Sequence, residues 1–202
     1  MEIKKKFILT IVLLSYLATA INGAIVITGL ENMAKDLDLN QSVLSWVQNS
    51  YVLAWGCFML LGGRLSDAFG RRGILNLSLL LFGIGSLFAG IATSATILIF
   101  SRFIQGVGAS ILAPTSLALI MDYFTGEERI KAIAWYSSIS GLGMCIGLVI
   151  GGTLASFFSW RYGFFIYLPL IVFMLIVSMK VLNKNKQTLI PQHYYKIFFL
   201  ST

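Results

Sequence analysis

The chain has 202 residues, of which 57% are hydrophobic and 11% charged, with a formal charge of +7. A water-soluble domain carries roughly 25% charged residues, so the chain has too few charges to cover a solvated surface. Its mean hydropathy of +0.85 points instead to a bilayer as the solvent.

A hydrocarbon core of ~30 Å takes about 20 apolar residues in a helix. Six runs reach that length: Phe7–Leu30, Val43–Gly62, Ile74–Ala92, Thr96–Met121, Ala132–Phe158 and Tyr162–Leu182. They are expected to be helices, because an open strand edge leaves backbone groups unpaired in lipid. The period-two alternation of a barrel is also missing. Lys4, Lys5 and Lys6 precede the first run as they would in a signal peptide. That run is long for a cleaved segment, and five more follow, so it is read as a span. The fold class is therefore all-α: a polytopic membrane protein.

The basic residues orient the spans. With the N-terminus in the cytoplasm, twelve of the 15 fall inside: Lys4, Lys5, Lys6, Arg64, Arg71, Arg72, Arg129, Lys131, Lys180, Lys184, Lys186 and Lys196. Lys35 and Arg161 fall outside, and Arg102 alone lies within a span. This asymmetry predicts a multi-pass cell-membrane protein with both termini cytoplasmic. The positive charge then reflects topology and anionic headgroups, with no nucleic acid required.

Along the chain, the first span carries Asn22, and the second carries Gln48 and Asn49 near its outer end. Tyr51 and Trp55 lie deeper, at i and i+4; they either line a cavity for aromatic or cationic compounds or face lipid and packed neighbours. Trp46 and Trp135 sit near expected interfaces, where aromatic belts form. Between the second and third spans stands "GGRLSDAFGRR", residues 62–72, read as a cytoplasmic turn. Its glycines, Gly63 and Gly70, permit a tight turn. Asp67 is placed to accept hydrogen bonds from Arg71, Arg72 and the end of a neighbouring helix. In the fourth span, Arg102, Gln105, Gly106 and Ala109 share one helical face. Arg102 either faces the bundle interior or snorkels to the outer interface. In the fifth span Gly143, Gly147 and Gly151 recur every four residues, with Gly152 beside them and Ala155 continuing the stripe. Such a face admits another helix closely.

The cysteines, Cys57 and Cys145, lie in apolar runs and are expected to be free and buried. His193 is the single histidine. No metal-ligand spacing, cofactor motif or catalytic constellation is present, and an enzyme is not expected.

Several of these stretches resemble the motifs of the major facilitator superfamily. Gly63-x-Leu65-x-Asp67-x-x-Gly70-Arg71-Arg72 resembles motif A, "RFIQGVGAS" motif B, and "GLGMCIGLVIGG" motif C, the antiporter signature, with Leu148 where a proline is expected. "WRYGFFIYLP" (160–169), "LSWVQNSYVLAWG" and "AINGAIVITGL" are similar to segments of fourteen-spanner drug:proton antiporters. Departures are Tyr162 for a tryptophan, Tyr167 for an asparagine, Asn22 for the membrane aspartate and Glu31 for a proline. An amide carries no proton at any useful pH.

The resemblance implies that residues 1–182 form the six-helix N-terminal half of a transporter, with 183–202 as a basic cytoplasmic tail or truncated linker. It implies a latching role for motif A, coupling or substrate contact for Arg102, and efflux of amphipathic or cationic compounds against protons once a second half completes the site. Two other readings stand beside it. One is a non-transporting remnant or half that needs a partner, either a complementary C-terminal half or a second copy joined through an uncovered Gly143–Gly147–Gly151 stripe. The other is a metabolite uniporter or importer of the same superfamily.

Overall fold

A computed structural model describes residues 3–182. The expected tail, residues 183–202, lies outside the described residues. Seven helices follow in order: α1 (Ile3–Leu37), α2 (Gln41–Phe69), α3 (Arg71–Gly90), α4 (Ala95–Tyr123), α5 (Gly126–Phe157), α6 (Tyr162–Phe165) and α7 (Tyr167–Val181). Together α6 and α7 make the sixth span, so the six expected spans are all helices long and apolar enough to cross a membrane. The brief break after Phe165 follows from Pro169. Proline has no N–H to donate to the carbonyl four residues back, which here belongs to Phe165.

Most helices run past their apolar runs. At the α1 end the helix continues through Glu31–Leu37, and α5 starts at Gly126 rather than Ala132. The largest correction concerns the stretch read as a turn between the second and third spans. Gly63–Phe69 is helical and forms the last two turns of α2; only Gly70 breaks the helix. Gly70 takes φ +90°, a conformation that a Cβ makes costly. A hinge of one glycine therefore sets α3 against α2. Elsewhere side-chain caps start the helices: Asn40 accepts from Val43 N–H at 3.0 Å and Ser94 from Ile97 N–H at 3.4 Å.

The helices pack in a definite order. α4 lies against both α2 and α3, α1 against α5, and α7 against α3 and α1. α1 and α5 run parallel in one register. At one end Lys5 pairs with Glu128 at 2.7 Å, and at the other Asn32 donates to the Ala155 carbonyl at 2.6 Å, both across 123 residues of sequence. Between these ends, Gly143, Gly147 and Gly151 face Ala20, Ala24 and Thr28 at the same offset. The stripe expected to be uncovered is thus closed within the chain. A Cβ at Gly147 would fall 2.7 Å from Ala24 Cβ and 2.9 Å from the Ile21 backbone. A second copy has no access to this stripe, which corrects the expectation of dimers joined through it. Gly152 alone of the four faces open space.

Candidate functional site: two arginine centres

Arg102 sits in the middle of the bundle and is 2% exposed. It does not snorkel. Its Nη1 donates to Asn22 Oδ1 of α1 at 2.7 Å and to Gln105 Oε1 of α4, and its Nε donates to the Val47 carbonyl of α2 at 3.3 Å. The guanidinium also lies over the Tyr51 ring, 4.3 Å from its centroid. Gln105 passes the network on, donating from Nε2 to Ser86 Oγ of α3 at 2.8 Å. Ser86 in turn donates to the Phe82 carbonyl, and the Phe82 ring meets Tyr167 of α7 edge-on at 5.5 Å. Three helices, α1, α2 and α4, therefore meet at one cation, and the network extends from it to α3 and α7. Every acceptor it reaches is neutral: among the described residues no carboxylate lies within ion-pair distance.

The four positions on the α4 face, Arg102, Gln105, Gly106 and Ala109, are all buried. Gly106 is the close-approach point. A Cβ there would meet Ala54 Cβ at 2.9 Å, and this contact holds α2 near enough for Tyr51 to cover Arg102. Trp55, one turn on from Tyr51, is 37% exposed, whereas Tyr51 covers Arg102. The structure brings Asn22, Tyr51, Arg102 and Gln105 together and leaves Trp55 out.

The second centre is Arg71, the first residue after the Gly70 break. Its Nη1 pairs with Asp67 one turn back on α2 and donates to Ser66 Oγ at 3.2 Å. Its Nε donates to Asp122 Oδ2 at the end of α4 at 3.2 Å. Arg72 donates to the Leu182 carbonyl at 3.2 Å, where α7 ends. The expectation that Asp67 gathers the donors is corrected: Arg71 is the hub, and the neighbouring helix contributes a carboxylate. Gly63 faces Pro114 of α4 at 3.8 Å and takes no part in the turn.

Sequence reasoning missed Asp122, Ser86 and Tyr167. It also missed a third cluster at the opposite end of the bundle, where Arg161 pairs with Asp36 and donates to the Ala92 carbonyl at 2.9 Å. Trp160 donates to the same Asp36 at 3.2 Å. The signal for Asp122 was present: it is the only acidic residue between Asp67 and Glu127, just past an apolar run. The expectation of buried cysteines is also corrected. Cys57 and Cys145 are free but exposed, because α2 and α5 turn broad faces away from the rest of the bundle. An apolar position in a span need not be a position in the protein core.

The comparisons agree with this architecture. The chain is 36% identical over 181 residues to the puromycin resistance protein of Streptomyces alboniger, covering 89% of this chain and 36% of that one. It is 31% identical over 185 residues to the multidrug transporter protein MdtP of Bacillus subtilis, covering 92% of this chain and 34% of the relative. The chain thus spans about a third of the length of these curated relatives. The crystal structure of the peptide transporter POT in complex with sulfate superposes with a TM-score of 0.76 at 17% identity, over 98% of this chain and 42% of that chain. This likeness shows a common fold. The family model of the Major Facilitator Superfamily matches residues 12–194. On that match, and on the six-span bundle beneath it, this chain belongs to the Major Facilitator Superfamily, a family of membrane transporters rather than enzymes.

Proposed function

We propose that residues 1–182 are the N-terminal half of an efflux transporter of the fourteen-spanner drug antiporter type, lying in the cell membrane with the Arg71 end in the cytoplasm. The observation that carries this reading is Arg102. A cation sealed inside a membrane bundle is costly, and such residues mark substrate or ion pathways. Here it stands on the motif B face, held by α1 and α2 and linked through Gln105 to α3. The relatives named for puromycin resistance and multidrug transport support amphipathic or cationic compounds as cargo.

In this reading a second half completes the site, since alternating access rocks one half against the other. The most apolar windows of α2 and α5 are each only 17% buried, against 50% and 61% for α1 and α4. Their open faces are the surfaces on which a complementary half would rest. The Arg71 hub holds the cytoplasmic ends of α2, α3 and α4 together and would present them to that half as one unit.

A second reading, a uniporter or importer of the same superfamily, is favoured by Asn22. Its amide takes no proton, so proton exchange would need another carrier. Leu148, on an exposed face of α5, is a second departure from the antiporter signature.

Ethidium efflux from cells separates these readings. The 202-residue chain alone is expected to match an empty vector, while the chain completed by a second half exports ethidium when energised. Energy-dependent efflux from the chain alone would overturn the half-transporter reading. Energised accumulation of a metabolite by the completed protein, without ethidium export, would favour the second.

A further inference from the structure

The Arg102 cluster is unbalanced in both charge and hydrogen bonding. The guanidinium is a full positive charge, because arginine stays protonated in proteins. Its acceptors are an amide oxygen from Asn22, another from Gln105 and one backbone carbonyl. These neutral dipoles satisfy Nε and Nη1; among the described residues Nη2 donates to none. Burying a charge without a counter-charge costs several kcal/mol even after relaxation.

Two further groups beside it are left over. Asn22 is completely buried and spends its oxygen on Arg102, and its Nδ2 has no hydrogen-bond partner. The amide nitrogen shares a carbon with that oxygen, so it lies next to the guanidinium. Tyr167, 2% exposed, has an unpartnered hydroxyl, and its ring stands against Phe82, whose carbonyl anchors Ser86 of the same network. The Asn22 amide N–H is thus a buried donor next to a buried cation, with the Tyr167 O–H within electrostatic reach of the same cation, and donors beside a cation are what an anion requires. A water molecule would satisfy Nδ2 but would leave the charge unbalanced.

We propose that Arg102, Asn22 and Tyr167 form a binding site for a small monovalent anion, either a halide or a carboxylate group. The anion supplies the counter-charge that the chain does not provide. Asn22 is the determinant of this property: with a carboxylate at position 22 the guanidinium would be paired internally and an anion would be repelled. The inference rests on charge and hydrogen bonding alone and does not depend on whether the chain transports anything.

The test uses the purified chain in a neutral detergent, with gluconate replaced by chloride or by formate at constant ionic strength. Gluconate, a much larger hydroxylated anion, serves as the reference. The unfolding temperature of the native sequence is expected to rise saturably, on the order of 5 °C at a hundredfold excess over Kd. Asn22→Asp should fold, unfold at a temperature no lower than the native chain does in gluconate, and lose the anion response. Broadening of the chloride-35 magnetic resonance line by the native chain, absent with Asn22→Asp, gives a second readout independent of unfolding. A response to chloride assigns the site to halides, and a response to formate alone assigns it to carboxylates. No saturable response in the native chain, or an undiminished response in Asn22→Asp, overturns the proposal.

Discussion

Arg71 and Arg102 show how one side chain is held in two surroundings. Arg71, at the bundle end, is answered by two carboxylates, and Asp67 is itself 48% exposed. Arg102, in the interior, is answered by amides, a carbonyl and an aromatic ring. Near water a charge–charge contact adds little, because solvent screens it and competes for both partners. In a dry interior each hydrogen bond to the cation counts for more, and the missing counter-charge is felt in full. The end cluster is therefore chemically richer, yet the loss of a partner is felt more at the interior cluster.

The difference can be broken or sharpened experimentally. The largest effect is positional. In a background without Cys57 and Cys145, a single cysteine at Lys35 should react with an impermeant maleimide on intact cells. One at exposed Arg64, on the Arg71 end, should react only after permeabilisation. Equal labelling would deny that the two ends lie on opposite sides of the membrane.

Next in size is Asn22→Leu, which removes an acceptor from the buried cation. It should cost about 1.5–3 kcal/mol of stability, the range for a hydrogen bond to a charged group. The check is a denaturant titration in detergent. Gly70→Ala should follow at about 1–2 kcal/mol, because φ +90° disfavours any residue with a Cβ. Asp122→Asn should cost less, about 0.5–1 kcal/mol, because Asp67 remains with Arg71 and the pair is partly solvated. A loss at Asp122→Asn equal to that at Asn22→Leu would erase the contrast between the two centres. Smallest is salt. Raising ionic strength should speed amide hydrogen exchange at residues 66–72, where charges are screened, and leave residues 102–106 unchanged.

Much of this was legible in the chain itself. Six runs of about 20 apolar residues admit hardly any other arrangement in lipid, and all six are helices. The superfamily resemblance is borne out by the family match. Helix ends were less legible. Gly63–Phe69 and Glu31–Leu37 carry polar residues, yet helical hydrogen bonding continues through them because only Gly70 and Asp38, both at positive φ, interrupt it. Rotation of a helix about its axis was not legible at all. Hydropathy is the same whether Arg102 points to lipid or inward, and whether the glycine stripe of α5 meets α1 or a stranger. Nor does any local pattern join Asp122 to Arg71 or Asp36 to Arg161, since those partners stand 51 and 125 residues apart.

The parallel register of α1 and α5 also bears on how the chain is made. Ala20, Ala24 and Thr28 of α1 each find their glycine partner 123 residues later. At a synthesis rate of about 5–20 residues per second, Ala20, Ala24 and Thr28 wait roughly 6–25 s for the glycines that cover them. During that interval α2, α3 and α4, which pack on one another, have already left the ribosome. α1 is thus made long before the helix that locks it in place. Its exposed alanine face in the meantime is a surface for the insertion machinery, or a neighbouring nascent helix, to hold.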